Sequence, residues 1–314
     1  MRIGRHMPTN SNAVKAAGLA HSIGCNAIQI FASNPTGWRP TGGGEELCLA
    51  FAQAARSYDL DPVVLHAPYL INLASPDEVV RNKSIALLRW TLQRGSLLGA
   101  SAVVLHVGSH KGAGVESGIA QVAQSLREVL ADTPPAVLLL LENSVGAGNS
   151  LGGEFAHLAD ILALVPDLAT RLGVCLDTAH LWGAGYDIAT ATSTLEVLHE
   201  FDSLVGLTRL KVLHLNDTEK ALGSHRDVHA RIGEGIIGKE GLHTLLCDPR
   251  LAHVAVLLET PIQTDEAGKE DWDHDKHHLE LVKQLAQSSL SVAESISLFE
   301  SPCAAEDEAS GEHR

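Results

Sequence analysis

Six hydrophobic runs in this chain each stop at, or one residue beyond, an acid or a histidine. They read PVVLH (62–66), AVVLH (102–106), AVLLLLE (136–142), LGVCLD (172–177), KVLHL (211–215) and VAVLLE (254–259). Two more apolar runs, RIG near the N-terminus and AIQIF at 27–31, bring the set to eight. Between them lie amphipathic stretches at 82–98, 119–131, 154–165, 193–204 and 275–285; Ile85, Leu88, Leu92 and Leu97 trace one helical face of the first. Strand and helix alternating in this way read as βαβ units, and eight of them predict an α/β chain folded as a single (β/α)8 TIM barrel. An open doubly wound sheet is the rival, but it would gather ligands at one switch point instead of six strand ends.

Hydrophobic residues make up 45% of the chain and aromatics only 4%, so the core rests on Leu, Val, Ile and Ala, as suits a parallel sheet buried on both faces. No Pro/Ser-rich linker divides the chain. One domain over 1–300 is expected, followed by an acidic, disordered tail at 301–314; the acidic stretch 265–275 is expected as a loop outside the core. Five scattered cysteines without a CxxC pair read as reduced thiols. The N-terminus lacks a signal-peptide core, and no apolar run approaches the ~20 residues that cross a bilayer. The expectation is a soluble, cytoplasmic monomer without membrane association. A formal charge of −15 argues against a basic nucleic-acid surface, although cations in an acidic site would reverse the local potential.

The six endings supply His66, His106, Glu142, Asp177, His214 and Glu259, and three further candidates lie close by: His180 in DTAH, and Asp227 and His229 in SHRDVH. A lone histidine after a strand is more often a hydrogen-bonded core residue than a ligand. Nine polar groups converging on one barrel mouth are another matter, because without ions they would be costly to bury. Nine ligands exceed the needs of one tetrahedral ion, so several ions sharing a carboxylate are expected. Imidazole and carboxylate without thiolate favour zinc, with manganese as the alternative. Such a cluster activates water, polarises a phosphoryl oxygen and stabilises a departing alkoxide, and phosphate ester hydrolysis uses all three. His6 stands near this site without an evident partner. His110, His225, His274, His277 and His278 read as solvated or outer residues. Gly42–Gly44 and the IGEGIIG segment (232–238) lack phosphate-loop spacing and read as tight turns.

The words around these ligands are HAPYLINLASP from His66, LHVGSH from Leu105, LLENSVGAGNSLGG from Leu140, GVCLDTAHLWGAGYD from Gly173, LHLNDTEKALGSHRDVHARIGEGIIG from Leu213 and LLETP from Leu257. Together they resemble the endonuclease IV family of apurinic/apyrimidinic endonucleases over roughly residues 25–261. The resemblance implies a trinuclear zinc centre that hydrolyses the phosphodiester 5′ to an abasic site in double-stranded DNA, leaving a 3′-hydroxyl and a 5′-deoxyribose phosphate. By position, His66, His106 and Glu142 would hold one zinc. Glu142 would bridge to a second, held also by Asp177, His214 and Glu259, and His180, Asp227 and His229 would hold the third. Glu142 or Glu259 would handle the proton of the attacking water, and no nucleotide cofactor is implied.

The chain departs from the family's pattern at two arginines, replaced by Thr36 in the loop Asn34–Trp38 and by Val228 between Asp227 and His229. Tyr69 and Leu70 match the residues that enter the duplex beside the lesion. Asn34, Trp38 and Arg231 join them as expected DNA contacts, with Arg39, Lys111, Lys220 and Arg226 as replacement phosphate contacts. Two rival readings keep the barrel: a xylose-isomerase-like sugar isomerase or epimerase using divalent metal, and a metal-loaded protein that binds damaged DNA without cutting it.

Overall fold

The computed structural model describes residues 1–9, 12–264, 268 and 270–287. Eight strands pair in parallel and in chain order: β1 (Arg2–His6), β2 (Ala27–Phe31), β3 (Val63–His66), β4 (Ala102–His106), β5 (Leu138–Glu142), β6 (Leu172–Asp177), β7 (Leu210–His214) and β8 (Ala255–Leu258). β8 returns to β1, with Ile3 opposite Val256, and closes the barrel. Around it lie α1 (Ala13–Ser22), α2 (Glu45–Ser57), α3 (Glu78–Leu98), α4 (Val115–Ala131), α5 (Phe155–Leu164), α6 (Thr178–Ala184), α7 (Ala191–Leu204), α8 (Lys239–Cys247) and α9 (Trp272–Gln287). The five amphipathic stretches seen in the sequence became α3, α4, α5, α7 and α9. The other four helices, α1, α2, α6 and α8, lie outside those stretches. The buried face of α1 is only alanine (Ala16, Ala17, Ala20), and α6 is seven residues long.

Side chains of a strand alternate between faces, and this alternation explains where the polar endings point. The barrel interior is filled by Ala27, Val64, Ala102, Val104, Leu140, Cys175, Val212 and Leu257, each with at most 4% of its surface exposed. Counting two residues onward from Val64, Val104, Leu140, Cys175, Val212 and Leu257 gives His66, His106, Glu142, Asp177, His214 and Glu259. Each candidate ligand is thus the top rung of an inward-facing row whose lower rungs are apolar. Outward rows such as Val63 and Leu65, or Leu139 and Leu141, pack under the helices in a second, larger core. At the bottom of the barrel only glycine fits at position 4, since a Cβ there would stand 1.8 Å from the Ala27 carbonyl oxygen.

One expectation about the acidic stretch 265–275 is corrected. Its last residues form the first turn of α9, and Asp275 is 2% exposed, ion-paired with the equally buried Arg5 of β1. The carboxylate is held inside because a guanidinium meets it there. His110 (9% exposed) and His278 (5%) are likewise buried rather than solvated: His110 Nδ1 accepts from the Gly114 N–H and His278 Nε2 from the Ile232 N–H. Cys25, Cys48 and Cys175 are buried free thiols. Among the described residues no helix is long and apolar enough to cross a membrane. The expected tail, and residues 288–300 of the expected domain, lie outside the described residues.

Candidate metal centre

Glu142, fully buried at the end of β5, faces four imidazoles. Its Oε2 lies 3.3 Å from Nε2 of both His66 and His106, and its Oε1 lies 3.0 Å from His214 Nδ1 and 3.6 Å from His180 Nδ1. Strand register brings these groups together, His106 pairing with Glu142 and Asp177 with His214. Asp177 caps the N-terminus of α6, Oδ1 accepting from the His180 N–H at 2.9 Å, and its Oδ2 lies 3.6 Å from His229 Nε2. Asp227 Oδ1 is 3.3 Å from His180 Nε2 and 3.2 Å from His229 Nε2. Glu259 Oε2 is 3.4 Å from His214 Nδ1. All nine sequence candidates therefore meet in one cluster. Eight of the nine offer donor atoms within 4.8 Å of one another in three groups, His66, His106 and Glu142; Glu142, Asp177, His214 and Glu259; and Asp177, His180 and His229, while Asp227 adjoins the last of these through His180 and His229.

The surroundings aim these donors. The Nδ1–H of His66 donates to the Ala67 carbonyl at 2.7 Å, and that of His180 to the Asn143 carbonyl at 3.0 Å, leaving Nε2 of each for the cluster. Asn216 Nδ2 donates to Asp177 Oδ2 at 2.6 Å. Burial opposes charge in the cluster, yet at Glu142, Glu259, Asp227, His66, His180, His214 and His229 mutual attraction overrides it. His106, His214 and His66 hold Glu142 well below the usual carboxylate range, and His214 and its neighbours do the same for Glu259. Against the same burial, Asp177, Asp227 and Glu142 lift His180 to about 10, and Asp177 and Asp227 lift His229 to about 9. Burial wins at His106 and His6, whose values fall.

The donor set fits divalent ions. Four carboxylates are concentrated among five imidazoles, and His229 Nε2 is buried without a hydrogen-bond partner although it stands between two carboxylates. In an ion's absence the offsetting charge comes from protons on the imidazoles. Cys175 also approaches Glu142 and His214, but burial pushes its thiol up to about 12, so it is a neutral filler of the layer beneath.

A cavity of about 760 Å³ opens beside the cluster, lined by His6, Phe31, Asn34, Pro35, Tyr69, His229 and Glu259 among others. Tyr69 is 58% exposed, its ring centroid 5.4 Å from that of His66 and 6.1 Å from that of His106, so it roofs the first group. Leu70 beside it is half-buried. Asn34 is exposed at the cavity wall, whereas Trp38 packs on the core with Lys83 Nζ 6.0 Å above its ring. Arg231 does not reach this surface. It is 4% exposed and turned inward, donating to the Pro261 carbonyl at 3.2 Å and to Gln263 Oε1 at 2.9 Å, with Asp275 beyond. Arg39, Lys111 and Arg226 are exposed and Lys220 is half-buried.

A family description, Xylose isomerase-like TIM barrel, matches residues 17–282. A protein of Halothermothrix orenii named probable endonuclease 4 is 40% identical over 261 residues, covering 83% of this chain and 94% of that protein. The chain belongs to the endonuclease IV family. Endonuclease IV from Thermus thermophilus, known from a crystal structure, superimposes with a TM-score of 0.77 at 36% identity over 91% of this chain and 98% of that one. A D-tagatose 3-epimerase-like protein also superimposes, with a TM-score of 0.67 over 96% of this chain and 100% of that one, but at 19% identity the likeness shows the fold alone. Of the two departures from the endonuclease IV pattern, Thr36 is exposed and turned back on its own loop, its N–H and hydroxyl both bonded to Asn34 Oδ1, while Val228 is half-buried between two cluster members.

Residues that sequence reasoning passed over complete the site. Gln29, the one polar residue in AIQIF, is fully buried against Glu259 and His214; a polar side chain at the inward parity of an apolar strand was the available signal. His6 is no longer without partners, its Nδ1 lying 3.0 Å from Gln29 Nε2 and 3.5 Å from Glu259 Oε1. Asp217 is fully buried and accepts from the N–H groups of Thr218, Gly233, Gly235 and Ile237, so the glycine-rich segment wraps a carboxylate.

Proposed function

We propose that this chain is a zinc-dependent DNA-repair phosphodiesterase that cuts duplex DNA 5′ to an abasic site, leaving 3′-hydroxyl and 5′-deoxyribose phosphate ends. The observation that carries this reading is the third donor group, Asp177, His180 and His229, with Asp227 in contact with both of its imidazoles. A sugar isomerase polarises a carbonyl and hydroxyl pair with one or two ions and has no task for a third. The endonuclease relatives supply the substrate class.

His66, His106 and Glu142 would hold the first ion, Glu142, Asp177, His214 and Glu259 the second, and His180, Asp227 and His229 the third. Ions bound there would supply Lewis acidity, which lowers the pKa of water, polarises a phosphoryl oxygen and offsets charge on the leaving oxygen. Glu142 has no exposed surface, so its work is to hold the imidazoles and the ions in register. Glu259, with 14% of its side chain exposed and lining the cavity, is the carboxylate within reach of the attacking water's proton. Tyr69, 58% exposed, offers a hydroxyl donor and an aromatic edge at the mouth. Asp227, 54% exposed, is the outermost member of the third group, and a phosphate would be received from its side.

The test pairs metal counting with incision of a duplex carrying a tetrahydrofuran abasic analogue. Three ions per chain and cutting on the 5′ side are expected, and Glu259→Gln should abolish cutting while keeping the barrel. One or two ions with no cutting would reject the reading in favour of an isomerase.

A further inference from the structure

We propose that Gln29 is a positioning residue of the metal centre: its side-chain amide fixes the tautomer of His214 and the orientation of Glu259, so that both present lone pairs to the same ion. This rests on the metal reading above. Gln29 sits mid-strand on β2, opposite His6 of β1 and Val64 of β3, in the inward row that begins with Ala27. Its packing duty there needs only bulk. Its polar atoms are spent otherwise: Nε2 lies 2.5 Å from Glu259 Oε1 and 3.0 Å from His6 Nδ1, and Oε1 lies 2.9 Å from His214 Nε2.

Hydrogen-bond logic then runs in one direction. A carboxylate only accepts, so the amide NH2 must face Glu259. That turns the amide oxygen toward His214, and an oxygen only accepts, so His214 Nε2 must carry a proton. In the neutral imidazole the lone pair is therefore on Nδ1, the atom 3.0 Å from Glu142 Oε1 and 3.4 Å from Glu259 Oε2. Gln29 holds the outer oxygen of Glu259 in the same grip, and Oε2 is left facing the donor group. The second amide hydrogen goes to His6 Nδ1, which leaves the proton of a neutral His6 on Nε2. One amide thus sets the proton positions of two imidazoles and the pose of one carboxylate. Outer-shell partners of this kind change metal affinity or activity by about 10- to 100-fold when removed.

The experiment compares wild type, Gln29→Met and Gln29→Glu after zinc loading, using long-range proton–nitrogen NMR of the His214 ring and the rate of zinc release to a chelator. Circular dichroism and melting serve as fold controls. Wild type should show a protonated Nε2. Gln29→Met keeps the bulk and should lose the single-tautomer signature, releasing the second zinc about 10- to 100-fold faster. Gln29→Glu keeps the oxygen facing His214 but cannot donate to Glu259, so it should release zinc faster with the tautomer preserved; it also carries the test should the methionine variant fail to fold. Variants that hold zinc as wild type does, with the same His214 signature, would overturn the role of Gln29 and leave the metal reading standing. A wild-type chain that takes up no zinc would overturn the metal reading and this proposal together.

Discussion

Glu142 and its four imidazoles form a cluster whose charge balance changes with its occupants. Burial lowers His180 and His229, but Asp177, Asp227 and other carboxylates lift them to about 10 and about 9, above the ordinary 6.5. A group whose pKa is raised by folding stabilises the folded chain fully below its unfolded value and loses that contribution as pH climbs through the folded value. The ion-free chain should therefore lose stability between about pH 6.5 and 10. Zinc needs the same imidazoles without their protons, so its affinity for the third group should rise across that window. Melting of chelator-treated and zinc-loaded protein across this range should show opposite slopes. Parallel slopes would mean that His180 and His229 do not bind the ion. Most of this residue set was legible as strand endings. Gln29 was hidden because a single polar letter inside a strand shows its purpose only when its partners, from β7 and from the residue just past β8, are known.

Among the elements, the segment between β7 and α8 carries the least regular structure and two of the nine donors. Asp217 organises it: its carboxylate accepts from four backbone N–H groups, and its backbone pairs in both directions with that of Ala230, next to His229. Gly235 is required there, since a Cβ would stand 2.3 Å from Asp217 Oδ1. Asp217→Asn replaces an acceptor with a donor facing N–H groups, and each buried group left unpaired costs about 1–3 kcal/mol. We expect this variant to lose the third ion while keeping the other two, read as metal content per chain. Retention of all three would show that the loop is held by other contacts. The glycines of this segment were legible as turn formers, but the carboxylate they enclose was not, because it lies 16 to 20 residues from three of its partners. Arg231 went astray for a similar reason. Its inward pose depends on Gln263 and on His274 and Asp275 of α9, more than 30 positions away.

For the molecule as a whole, the cluster draws donors from β3, β4, β5, β6 and β7, from the residue just past β8, from α6 and from the loop between β7 and α8, so bound ions would link most of the barrel's circumference. A ligand that binds only the folded state adds about 2.7 kcal/mol per site at a hundredfold excess over its dissociation constant. Chelation should accordingly lower the melting temperature by several degrees or more, and re-addition of zinc should restore it; an unchanged melting curve would place the ions outside the fold's support. Local patterning was enough to specify the eight strands, five of the helices, the closed barrel and the six strand-end candidates, because apolar periodicity and strand parity are properties of short segments. Which donors share an ion, which side chains hold them from behind, and which charged residues turn inward depend on strand register and on contacts between distant segments. Those quantities take values only when the barrel closes and β8 meets β1.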